Sequence, residues 1–92
     1  MNDSAAVWKY PIPFGGTSIY SIPDSGEIVL CGMQNGVVTL WYNCDITAEK
    51  LLVRWRVVAT GEEYDPDEWT HLGSCQDGEF VWHVIQGIDD DE

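Results

Sequence analysis

Apolar and polar residues alternate with a period of two along almost the whole chain, and no segment sustains the i, i+3, i+4, i+7 apolar stripe of a helix. Successive side chains of a strand point to opposite faces, so this pattern restricts the chain to half-buried strands. Strands are expected over residues 6–10, 17–22, 27–34, 37–44, 50–59, 69–75 and 79–85. Residues that permit positive φ or remove a backbone donor separate them: Pro11, Pro13, Gly15 and Gly16 after the first, Pro23-Asp24-Ser25-Gly26 after the second. The segment Asp45-Ile46-Thr47-Ala48-Glu49 reads as a connector with room for a single helical turn. The fold class that follows is all-β, a compact antiparallel β-sandwich or small open barrel of about six to seven strands. A chain of 92 residues holds one modest core, because it buries only about 60–65% of the surface its unfolded form exposes. Residues 1–86 are read as that single β domain and residues 87–92 as a disordered acidic tail.

Asn35-Gly36 is the strongest local signal, since a two-residue type I′ hairpin turn needs φ > 0 at both central positions. The register it sets opposes Met33 to Val38, Cys31 to Leu40 and Val29 to Tyr42 on one face, with Leu30 opposite Trp41 and Gly32 opposite Thr39 on the other. Both faces are largely apolar, which places the hairpin inside a two-layer arrangement. The strand at 50–59 differs: Leu51, Val53, Trp55, Val57 and Ala59 point one way while Lys50, Arg54 and Arg56 point the other, leaving one wet face. A last hairpin is expected across Gln76-Asp77-Gly78.

Charge excludes several functions. Sixteen acidic residues against four basic ones give a net charge of -12, which repels phosphate backbones and anionic headgroups and argues against direct nucleic-acid or membrane binding. A basic partner fits that surface. Five acids lie in one loop, Glu62, Glu63, Asp65, Asp67 and Glu68, around Tyr64 and Pro66, and four more close the chain. The N-terminal residues lack the layout of a secretory signal, no apolar run approaches the ~20 residues of a membrane span, and three cysteines without a C-x-x-C pair suit reduced thiols.

Chemistry-bearing sets are sparse. The acidic loop does not match a calcium loop, the glycines form no phosphate-binding motif, and His71 and His83 with Cys75 read as packing residues without further ligands at fixed spacing. No catalytic, metal-ligating or cofactor-binding residue is expected. The candidate partner-binding residues are Glu62, Glu63, Tyr64, Asp65, Asp67 and Glu68, with Tyr10 or Phe14 as a further exposed aromatic anchor. Arg54 and Arg56, half of the basic inventory on one strand face, are expected to form ion pairs; the alternative is a ligand site for a phosphate or carboxylate.

Trp8-Lys9-Tyr10-Pro11, Ile22-Pro23, Gln34-Asn35-Gly36, Leu40-Trp41, Thr60-Gly61 and Val81-Trp82-His83-Val84 together resemble a family of small proteins common in phage genomes, a domain of unknown function. The likeness runs from about Val7 to Ile85, with Gly61-Glu62-Glu63 where the family usually shows G-H-P, and Ile85 where Phe is usual. A role of that family histidine therefore does not carry over. The resemblance implies phage origin and work in the cytoplasm of an infected bacterium, by a non-enzymatic binding protein. An acidic phage protein of this kind is expected to block a basic, nucleic-acid-binding host protein as a counter-defence inhibitor. Two alternatives stand beside it: an oligomeric sponge for a small nucleotide signal at Arg54 and Arg56, and a structural protein that self-associates through strand edges.

Overall fold

The computed structural model describes residues 4–88. Seven strands form, β1 (Ala5–Ile12), β2 (Thr17–Pro23), β3 (Glu27–Gln34), β4 (Val37–Asp45), β5 (Lys50–Ala59), β6 (Trp69–Asp77) and β7 (Phe80–Gly87), and no helix occurs among the described residues. They make two antiparallel sheets, one ordered β1-β4-β3 and the other β2-β5-β7-β6. The all-β, two-layer expectation holds. β1 continues through Pro11, which was expected to end it, and β2 closes on Pro23. Both are edge strands, where a proline's missing N–H can face away from the ladder. β7 runs through Gly87, one residue past the expected domain boundary, and the Ile88 N–H donates to the Glu68 carbonyl at 2.8 Å. The remainder of the expected tail, residues 89–92, lies outside the described residues.

The β3–β4 hairpin turns on Asn35 and Gly36 at φ 53° and 79°, the double positive φ that the dipeptide predicts. Met33, Gly32, Cys31 and Leu30 face Val38, Thr39, Leu40 and Trp41 as expected. The register then slips. A bulge at Val29 brings Ile28, not Val29, opposite Tyr42, so Ile28 packs against the core while Val29 is exposed. The β6–β7 turn also sits later than expected: Asp77 pairs with Phe80 and Gly78 carries φ 61°, the glycine-first pattern of a type II′ turn. In the β2–β3 turn, Ser25 takes the positive φ. Gly26 is required by space instead, because a Cβ there would stand 2.4 Å from the Tyr42 ring and 2.7 Å from the Asn43 carbonyl.

Between the sheets lie Ile12, Ile22, Val38, Leu40, Tyr42, Cys44, Val53, Trp55, Val57, Cys75 and Val84. Tyr10, Tyr20 and Trp55 meet in tilted pairs 5.1–5.6 Å apart, and the Trp55 indole N–H donates to Gln86 Oε1 at 2.8 Å. Tyr10 thus serves the core rather than an exposed anchor.

One connection decides the rest. β5 and β6 both pair antiparallel with β7, so they run parallel to each other with β7 between them. Residues 60–68 must therefore return from the level of Trp82 to the level of Gly87 while crossing β7, a climb of about 17 Å at ~3.4 Å per residue. The inner face is filled by the other sheet, and the contacts of the crossover with Arg56 and Ile88 put it on the outer face. Val58 and Ile85 point to that outer face, outside the core cluster, yet are 2% and 0% exposed. The face of β5 read as wet is therefore half covered: the crossover and the side chains beside it form a second, small apolar layer.

Candidate functional site

The outer face of the four-stranded sheet carries most of the polar chemistry of the molecule. Cross-strand pairing lines up Ile19, Arg54, Gly87 and Trp69 in one row, Thr17, Arg56, Ile85 and His71 in the next, and Val58, His83 and Ser74 in a third. Arg54 and Arg56 both lie over the Trp69 ring, 5.3 and 5.8 Å from its centroid. Arg56 also pairs with Glu62 at 3.5 Å, and Arg54 Nη2 donates to the Ile88 carbonyl at 3.3 Å. A Cβ on Gly87 would fall 2.4 Å from the Arg54 guanidinium, so the glycine leaves the room in which that group lies. Both guanidiniums are thus engaged within the fold. The expected ion pair forms for Arg56, with a partner from the loop rather than from a neighbouring strand.

The five loop carboxylates divide into two kinds. Glu62 turns inward: Oε1 accepts the Ala59 N–H at 3.0 Å, capping the open end of β5, while Oε2 meets Arg56. Asp65 organises a single turn, accepting the Asp67 N–H on Oδ1 at 2.8 Å, with its carbonyl receiving the N–H groups of Glu68 and Trp69, each at 3.0 Å. Pro66 follows it at the position where a fixed φ suits the first residue of a turn. Glu63, Asp67 and Glu68 are exposed, and no hydrogen bond or ion pair holds their side chains among the described residues. Tyr64 is half-buried, and the other loop residues from 61 to 68 are exposed. Of the six candidate partner-binding residues, two therefore shape the loop and three present charge from it.

Three further clusters come together only in the fold. At the β5 end, Phe14 lies on Trp82 with ring centroids 4.7 Å apart, and Phe80 stacks on the same indole at 5.7 Å, leaving Phe14 and Phe80 largely exposed. Inside, Cys75 Sγ donates to Met33 Sδ at 3.7 Å, and burial, with Cys75 alongside, pushes the Cys31 thiol up to about 12. Burial raises Cys75 and Cys44 as well, so all three cysteines remain protonated thiols at neutral pH, which is the unreactive form. No disulfide joins them. His71 and His83 also meet on the outer face, through a bulge at Leu72 that no residue pattern announced.

Seven strands in two packed sheets, with an acidic crossover whose Glu62 pairs with Arg56 beside Trp69, define a small β-sandwich. The chain belongs to the family described as a domain of unknown function, DUF7352, whose model matches residues 4–92. No curated protein and no solved structure matches it.

Proposed function

We propose that the chain is a non-enzymatic, phage-encoded binding protein that docks a basic surface of a bacterial host protein through the crossover at 60–68. The observation that carries this reading is the division of labour among the loop carboxylates. Glu62 ties the loop to β5 and Asp65 closes the turn within it, and Glu63, Asp67 and Glu68 are left outward on that support. Charges held in place lose less entropy on binding than charges on a free chain, and a net charge of -12 steers a basic partner toward them. The partner class is a nucleic-acid-binding host protein, a defence nuclease among them, whose channel is blocked when carboxylates occupy phosphate positions. The place of action is the host cytoplasm. Arg54 and Arg56 are already stacked and paired, which favours this reading over a nucleotide sponge.

Affinity capture from infected cells, scored for proteins and for small molecules, tests the proposal. Capture of a basic host protein is expected, with association slowing as salt rises and with Glu63→Lys, Asp67→Lys and Glu68→Lys together abolishing capture while the fold persists. Binding that ignores both salt and the triple reversal, or enrichment of a nucleotide in place of a protein, overturns it.

A further inference from the structure

Three polar side-chain atoms on the outer face of β6 and β7 form a closed triangle. His71 Nε2 is 3.2 Å from His83 Nδ1, Ser74 Oγ is 2.7 Å from His83 Nδ1, and Ser74 Oγ is 3.1 Å from His71 Nε2. We propose that this triangle is a binding site for a divalent transition-metal ion of the imidazole-preferring class, zinc, nickel or copper(II), with His71 and His83 as the principal ligands.

From those sides, a single point lies about 2.0–2.1 Å from all three atoms, roughly 1 Å out of their plane, which is the bond length imidazole nitrogen takes with zinc. The angles at that point come to about 80–105°, the range of one face of a tetrahedral or octahedral ion. The ring centroids stand 5.3 Å apart against 3.2 Å between His71 Nε2 and His83 Nδ1, so these two nitrogens lie between the rings.

Thr60 Oγ1 lies 3.1 Å from the Val81 carbonyl and 2.8 Å from His83 Nε2. When the hydroxyl donates to that carbonyl, the same oxygen accepts from Nε2, and Nδ1 of His83 is then the lone pair that faces the triangle. A ligating histidine held through its other nitrogen by an oxygen acceptor is the usual support of a metal site. Without an ion, the Ser74 O–H and a His71 Nε2–H fill the triangle. On binding, the Ser74 hydroxyl proton rotates away and the proton of His71 moves to Nδ1, so no proton need leave the neutral pair.

A bulge in β6 places these residues on one face. Asp77 pairs with Phe80, and without the extra residue at Leu72 that register would put His71 and His83 on opposite faces. The bulge turns Leu72 toward the core and swings His71 onto the face of His83. Arg56 stands in the row of His71, with Ile85 between them, and Glu62 offsets its charge. With two imidazoles and one hydroxyl, the site keeps open positions for water and is weaker than a closed structural zinc site.

Long-range proton–nitrogen NMR on the full chain, titrated with zinc sulfate and separately with magnesium sulfate at neutral pH, tests the assignment. Zinc is expected to shift His83 Nδ1 and His71 Nε2 while His83 Nε2 stays protonated, and magnesium to leave both rings unmoved. His71→Ala, at an exposed position, should weaken zinc affinity at least about tenfold, and Thr60→Val, which keeps shape but removes the acceptor, by about tenfold. Zinc shifts confined to the carboxylates, or His71→Ala binding as tightly as the unaltered chain, overturns the proposal.

Discussion

The two outward faces of the sandwich are built alike and used differently. On the three-stranded sheet, the outward residues include Val7, Lys9, Pro11, Glu27, Leu30, Gly32, Gln34, Val37, Thr39, Trp41 and Asn43; Lys9 reaches Gln34 at 2.6 Å, and the buried Thr39 hydroxyl donates to the Val37 carbonyl at 3.0 Å. Val7 and Leu30 stay more than half exposed there. On the four-stranded sheet, a crossover lies across the face, Val58 and Ile85 are buried, and Arg54, Arg56, Trp69, His71, Ser74 and His83 share that face, where Glu62 of the crossover pairs with Arg56 and Thr60 meets His83. The difference lies in connectivity rather than strand composition. Strands β5 and β6 are consecutive in the chain and parallel with β7 between them, so the segment that joins them crosses a face; β1 and β3 are parallel about β4 as well, but β2 in the other sheet separates them in the chain. The face that is crossed becomes the one with chemistry.

Four experiments probe that contrast, beginning with the largest expected effect. Replacing Ile85 by Ala empties a fully buried site beneath the crossover and should cost about 2–5 kcal/mol in denaturant unfolding; a loss under 1 kcal/mol would mean that the second apolar layer contributes little. Stability should next fall with alkaline pH. Burial raises the Cys31 thiol from 9.0 to about 12, so the folded state holds its proton more tightly than the unfolded chain does. That contribution is complete below pH 9.0 and is lost as pH rises through about 12, with Tyr10, Tyr42, Cys44 and Cys75 acting in the same direction. Cys31→Ala should flatten the slope of the urea midpoint over that window. An unchanged slope would assign the alkaline loss to the other four groups.

Asp65→Ala removes the acceptor that closes the turn before β6 and should destabilise by about 0.5–2 kcal/mol, with faster amide exchange confined to residues 65–69. Global loss of protection instead would make the crossover part of the folding core. Smallest of all, Leu30→Ser on the bare face should change the unfolding free energy by no more than about 0.5 kcal/mol. If light scattering of the unaltered chain shows a dimer that this substitution dissolves, the bare face is an interface, and the contrast between the two faces must be redrawn.

Much of the fold was legible because local chemistry and long-range pairing agree. Asn35-Gly36 requires a turn that matches strand twist, and the alternation of Val53, Trp55 and Val57 against Arg54 and Arg56 names the two faces of β5 before any neighbour is known. The acidic loop was legible as a loop, and its exposed carboxylates as candidates. Its internal division was not, since nothing in the spacing of Glu62 and Asp65 distinguishes a carboxylate that caps a strand from one that faces water. The two histidines were legible only as residues on one hairpin.

The sequence by itself determined an acidic, all-β domain with its hairpins and its charged loop, because period-two patterning and turn propensities act over a few residues. Tertiary structure decided the rest: the bulges at Val29 and Leu72, the return of residues 60–68 across the outer face, and the meeting of His71, Ser74 and His83. A bulge reverses which way every later side chain points, and its position is set by how two whole strands fit against the core, Ile28 on one and Leu72 on the other. That balance is a property of the packed sheets, and no short stretch of residues contains it.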